Sequence, residues 1–108
     1  MALRPVEFHT LLALAAEERH GYAILQEVAA QTDGELQLEP GTLYRALHRM
    51  LKDGWVAESS RRPASDVDDE RRKYYRLTPL GRRMAATEAE RLSRLVTIAR
   101  AHRLLSRA

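Results

Sequence analysis

The residues best equipped for chemistry in this 108-residue chain lie between Pro40 and Asp53. There Leu43, Leu47, Met50 and Leu51 recur at spacings of 4, 3 and 1, the apolar stripe of a helix with one face turned inward. The opposite face must carry Thr42, Arg45, His48, Arg49 and Lys52, with Tyr44 flanking them. Such a set suits contact with a nucleic-acid groove. Arginine pairs in bidentate fashion with guanine, histidine and threonine reach base edges or phosphates, and lysine neutralises backbone charge. Taken singly, an outward arginine or lysine is ordinarily only solvated. Lys52 stands late in the segment, where it could merely complement the helix dipole. Tyr44 has two readings: packed under the helix, or with its hydroxyl on a phosphate.

No catalytic or metal-binding pattern competes with this one. The chain contains no Gly-x-Ser-x-Gly, no Gly-x-x-x-x-Gly-Lys and no His-Glu-x-x-His. His9, His20, His48 and His102 are too scattered to suggest a metal set, and each reads more simply as a surface or cap residue. The absence of cysteine excludes disulfides, thiol redox sensing and Cys-ligated zinc. The expectation is a protein that is not an enzyme, with no catalytic residue, metal or cofactor.

Composition fits one globular domain: 44% of residues are apolar, and five glycines and four prolines are too few for a disordered chain. The opening MALRPVEFHTLLALAAEE lacks a basic segment followed by an unbroken apolar run, so it does not read as a signal peptide. No stretch approaches the ~18 apolar residues of a membrane span. No membrane partner is expected, and a cytoplasmic location is. Net charge is +3, unevenly spread: residues 1–70 hold 7 basic and 13 acidic side chains, residues 71–108 hold 11 and 2. A basic segment attracts polyanions, although an Arg-rich solvated helix would have the same composition.

The elements that would position these groups can be read in order. Val6 to Ala16 is periodic, with Val6, Leu11, Leu14 and Ala15 on one face, Phe8 and Leu12 widening it, and Pro5 suited to the first turn. A second helix is expected from Tyr22 to Thr32, with Leu25, Val28 and Ala29 inward and Ile24 beside them, stopped by Asp33-Gly34. Glu35-Leu36-Gln37-Leu38 alternates and suits a small edge strand. Pro40 then begins the third helix, which Gly54 closes. Trp55–Ser60 and Lys73–Leu77 read as two strands of a hairpin, with Trp55 a core residue at the helix–strand junction. The polar loop Arg61–Arg72 between them holds Asp66, Asp68, Asp69 and Glu70. Arg71, Arg72 and Lys73 could meet phosphates there, with Arg61 and Arg62 across the hairpin.

Thr78-Pro79 is a strong helix start, a hydroxyl cap followed by proline, and the pattern runs from Leu80 to Leu105. Ala85, Glu88, Leu92, Leu95, Ala99 and His102 step by 3, 4, 3, 4 and 3, a heptad-like seam broadened by Val96, Ile98 and Leu105. That seam could fold back on its own domain, but it better suits a partner subunit, with Leu92, Leu95, Val96, Ala99 and His102 at the dimer interface. The fold class expected is mainly α with a small β-hairpin: a winged helix-turn-helix over residues 1–78 and a long C-terminal dimerisation helix over residues 79–108. In this architecture the second helix of the pair enters the major groove, which assigns that role to Pro40–Asp53.

Three ordered motifs resemble the PadR family of transcriptional regulators. They are His20-Gly21-Tyr22, then Pro40-Gly41-Thr42-Leu43-Tyr44-x-x-Leu47-x-x-Met50-x-x-x-Gly54, then Arg72-Lys73-Tyr74-Tyr75-Arg76-Leu77-Thr78-Pro79-x-Gly81. The likeness spans essentially the whole chain, and its single C-terminal helix looks like the compact subfamily. The resemblance implies a homodimer on a pseudo-palindromic operator in double-stranded DNA, usually repressing a neighbouring gene. It also implies that Tyr22, Thr42 and Tyr44 lie near DNA and that Lys73 and Tyr74 belong to the wing's returning strand. Glu39 stands where the family often has serine, and the acidic loop is unusual. Compact relatives can bind planar aromatic compounds between subunits, with a tryptophan on the C-terminal helix helping to stack them. Here that helix has no aromatic residue, so a small-molecule effector, if there is one, is of unknown identity. Two further readings remain beside the regulator: a winged protein-interaction module without specific DNA binding, and a non-specific architectural DNA binder.

Overall fold

Four helices and three short strands follow one another through residues 3–60 and 73–105, the parts of the chain that the computed structural model describes. In order they are α1 (Pro5–Ala16), β1 (Arg19–His20), α2 (Gly21–Gln31), α3 (Pro40–Lys52), β2 (Val56–Glu58), β3 (Tyr74–Leu77) and α4 (Pro79–Ala101). Proline opens α1, α3 and α4, where its missing N–H has no partner to lose. At the start of α1 the Glu7 carboxylate accepts the backbone N–H of Arg4 at 3.0 Å. Thr78 caps α4: its hydroxyl accepts the Gly81 N–H at 3.0 Å and donates to the Gly54 carbonyl at 2.6 Å. Glu39 makes no side-chain cap bond at α3.

The core gathers around α1, which touches α2, α3, α4 and β3. Leu11, Ala13 and Leu14 of α1 meet Ile24 and Val28 of α2, Leu43, Ala46, Leu47 and Met50 of α3, Val56 and Tyr75 of the sheet, and Ala85 of α4. Trp55 is half-buried against this cluster, and its carbonyl accepts the Thr78 N–H at 3.2 Å. A Cβ on Gly81 would overlap that carbonyl, so α4 can leave the hairpin at this point only because position 81 lacks a side chain.

β2 and β3 form the expected hairpin, antiparallel with Val56 opposite Leu77, Ala57 opposite Arg76 and Glu58 opposite Tyr75. The third strand differs from the sequence reading. Residues 35–38 form no strand; β3 instead takes β1 as its other neighbour, with Arg19 opposite Tyr75 and His20 opposite Tyr74. The reason is one of hydrogen bonding. The Leu36 N–H is taken by the Thr32 hydroxyl at 2.8 Å and the Glu35 N–H by the Thr32 carbonyl at 3.0 Å, while β3 already has partners on both edges. Leu36 and Leu38 still pack against the core, which accounts for their alternation.

The long C-terminal helix is also shorter than its sequence pattern. It ends at Ala101, and the chain turns through Arg103 at φ +61 while the Leu104 N–H reaches back to the Ala99 carbonyl at 2.9 Å. This is a left-handed helix cap made without glycine. It leaves His102 at the cap and Leu105 beyond the helix.

Candidate nucleic-acid interface

On α3 the residues expected to face outward do so. Thr42, Arg45, His48, Arg49 and Lys52 fall within about 120° of the helix circumference. Arg45, His48, Arg49 and Lys52 are exposed and Thr42 is half-buried, while Leu43, Ala46, Leu47 and Met50 are buried. The helix contains no acidic residue, and among the described residues none of these four basic side chains takes part in an ion pair. Among the described residues Arg45 donates only to the neighbouring Thr42 hydroxyl, at 3.4 Å. The face is thus a basic surface whose guanidinium donors remain turned to solvent.

Tyr44 sits at the edge of this face, half-buried, with its ring against the start of α2. A Cβ on Gly21 would overlap the Tyr44 hydroxyl, so Gly21 is what lets α3 lie this close to α2. Packing at the helix pair is therefore where this ring is found. Tyr22, next in sequence, is 62% exposed at the first turn of α2.

His20 organises the same corner. Its Nδ1 accepts the Ala23 N–H at 3.1 Å as the N-cap of α2, and its ring meets Tyr74 of β3 edge-on, centroids 5.3 Å apart at 77°. Glu18, just before β1, accepts a bond from the hydroxyl of Ser59, which directly follows β2. Glu17, Glu18, Arg19, His20, Ala23 and Tyr74 surround an open cleft of about 160 Å³.

In the wing, Lys73 pairs with Glu58 across the hairpin at 3.7 Å. Arg71 and Arg72, and with them Arg61 and Arg62, lie outside the described residues. Arg76 is exposed on the central strand, beside the buried Tyr75. Sequence reading did not single it out, although the in–out alternation of a strand carries the signal.

α4 divides into two halves. Ala85 and Glu88 are buried against the rest of the domain. The Arg91 guanidinium donates to both Glu88 carboxylate oxygens, at 2.9 and 2.7 Å. That pair, with a bond from the Leu3 N–H, holds the Glu88 carboxyl below the usual carboxylate range despite its burial. Farther along, Leu95, Val96, Ile98 and Leu104 are exposed, Leu92 and Ala99 are half-buried, and His102 is exposed. Among the described residues no group of three or more His, Cys, Asp or Glu could hold a metal ion, and no helix is long and apolar enough to cross a membrane.

The chain as a whole resembles known proteins. Residues 10–87 match the family model of the transcriptional regulator PadR-like family. Transcriptional regulator Rv3488 of Mycobacterium tuberculosis is 38% identical over 86 residues, covering 80% of this chain and 73% of that one. A PadR family transcription regulator from Clostridium difficile shares the fold at a TM-score of 0.74 and 21% identity, covering 92% of this chain and 98% of its own. Bacillus subtilis PadR, solved in complex with operator DNA, aligns at a TM-score of 0.65 and 20% identity over 78% of this chain and 46% of its own. These are regulators, not enzymes. The chain, a mainly helical winged fold, belongs to the PadR-like family of transcriptional regulators.

Proposed function

We propose that this regulator binds double-stranded DNA sequence-specifically, as a homodimeric cytoplasmic repressor on a pseudo-palindromic operator. The supporting observation is the outer face of α3, where Arg45, His48, Arg49 and Lys52 stand exposed with no ion-pair partner among the described residues. A basic helix face with its donors unspent is what major-groove readout requires. The operator complex of the Bacillus subtilis relative supports the same use of the fold. Residues 1–78 serve as the DNA-binding unit, with Thr42, Arg45, His48 and Arg49 facing the groove, and Tyr22, Tyr44 and Lys52 at its margins. Lys73, with Arg71 and Arg72, serves the backbone from the wing. Residues 79–108 pair the two subunits through Leu92, Leu95, Val96, Ala99 and His102, an assignment supported by the apolar surface that α4 leaves exposed. An effector that binds between the subunits would have no aromatic side chain on α4 to stack against.

A titration of the purified protein against its own promoter DNA and a scrambled duplex, across a salt series, tests this reading. Promoter binding tighter by about 10³-fold or more establishes a sequence-specific regulator. Equal, salt-steep binding to both duplexes identifies a non-specific binder, and no binding by a folded dimer identifies a protein-interaction module.

A further inference from the structure

We propose that His20 is a positioning residue of the DNA-facing surface: its neutral imidazole ties the first turn of α2 to the wing and so fixes where Tyr22 stands. This rests on the DNA-binding reading above and adds a residue that touches no DNA. A backbone N–H can only donate, so the 3.1 Å bond from the Ala23 N–H requires Nδ1 to be an acceptor. The capping form is therefore the neutral ring with its proton on Nε2. The same ring lies edge-on to Tyr74, whose backbone pairs with His20 across β1 and β3. One side chain thus holds both the start of the helix that carries exposed Tyr22 and the strand on which the wing returns.

Protonating His20 breaks the cap, and with it the tie between α2 and the ring that stays beside Tyr74. The imidazolium has no acceptor for the Ala23 N–H, and its charge stands against the positive end of α2. The groups around it carry charges of both signs. Glu17 and Glu18, on the approach to β1, line the cleft beside it, Glu17 paired with Arg19 and Glu18 with Ser59. Arg19 lines the same cleft, Tyr74 on β3 presents an uncharged ring, and α2 carries no charged side chain before Glu27. Protonation therefore uncaps α2 and frees its first turn, so DNA binding weakens as the solution is acidified. His48, exposed on α3, works the other way, since its protonation adds a positive charge to the basic face.

The experiment has two readouts. In the free protein, the Ala23 amide is followed by NMR from pH 8 to pH 5 alongside the His20 ring. The amide is expected to shift in step with that ring, and an amide that ignores it overturns this inference alone. Binding to promoter DNA is then measured over the same range, with His48→Gln in every protein compared. Affinity is expected to fall several-fold on acidification. His20→Asn, which supplies a non-titrating cap, should lose that fall, and His20→Ala should bind on the order of 5-fold more weakly at pH 8, the equivalent of about one N-cap. A pH profile unchanged by His20→Asn overturns the positioning role. Failure of the wild-type protein as well to bind promoter DNA removes that role together with the reading it rests on, while the Ala23 amide still decides whether the cap exists.

Discussion

Arg45 and Arg49 are separated by one helical turn on the exposed face of α3, where a lone arginine is ordinarily only solvated. If they read bases, Arg45→Ala and Arg49→Ala should each weaken operator binding by about 1–3 kcal/mol while leaving a scrambled duplex little changed. Competition binding with both duplexes measures this, and equal weakening on both would recast the residue as a phosphate contact. Glu88 makes a different kind of statement. Its carboxyl is held below the usual range chiefly by the two bonds from Arg91, so it contributes stability above that range and loses it as pH falls through the folded value. Wild type should therefore be more stable than Glu88→Gln at pH 7, with the gap closing under acid. Urea unfolding at pH 7 and pH 3 shows whether it does, and a gap that is the same at both would remove the ion pair as its cause.

At the scale of elements, the contact between α2 and α3 depends on an absent side chain. Gly21→Ala places a methyl on the Tyr44 hydroxyl, and overpacking of this kind typically costs about 1–3 kcal/mol. In a Tyr44→Ala background the same change should cost little, because the two positions share one space. Urea denaturation of the four proteins measures the coupling, and equal costs in both backgrounds would disprove the contact. Much of this arrangement was legible in the sequence. The apolar stripe of α3, the hydroxyl–proline start of α4 and the returning strand at Tyr74–Leu77 are local signals, and local hydrogen bonding honours them. β1 was not legible, because two residues carry no periodicity; Arg19 and His20 become a strand only once β3 lies beside them. The alternation at residues 35–38 suggests a strand for the converse reason. Leu36 and Leu38 do point inward, but burial sets side-chain alternation, whereas a strand also needs a free neighbouring edge. The outward face of α3 was readable residue by residue, and a cap was one of the two readings open for His20, but its contact with Tyr74 was not legible, since that strand lies far along the chain.

At the scale of the whole molecule, the heptad-like steps of α4 serve two masters in succession. Ala85 and Glu88 are buried within this chain, and then the same spacing continues past Leu92 onto a surface with little covering it: Leu95 is 49% exposed, and beside it Val96 38% and Ile98 54%. Apolar side chains gathered on one projecting helix are the kind of patch that marks an association site. A second copy has the matching helix by symmetry, and an isologous contact through it would set two α3 faces at a fixed separation. Half-site centres should then lie about 10 bp, or a multiple of it, apart. The prediction is that Leu92→Glu and Leu95→Glu together abolish the dimer, since apposed carboxylates would be buried without partners. Sedimentation velocity should show a folded monomer with unchanged helical content by circular dichroism, because neither residue belongs to the buried core. Promoter affinity should drop steeply, as one α3 can hold only one half-site. A double variant that still sediments as a dimer would move the interface elsewhere on the molecule and leave the exposed apolar side of α4 to a different partner.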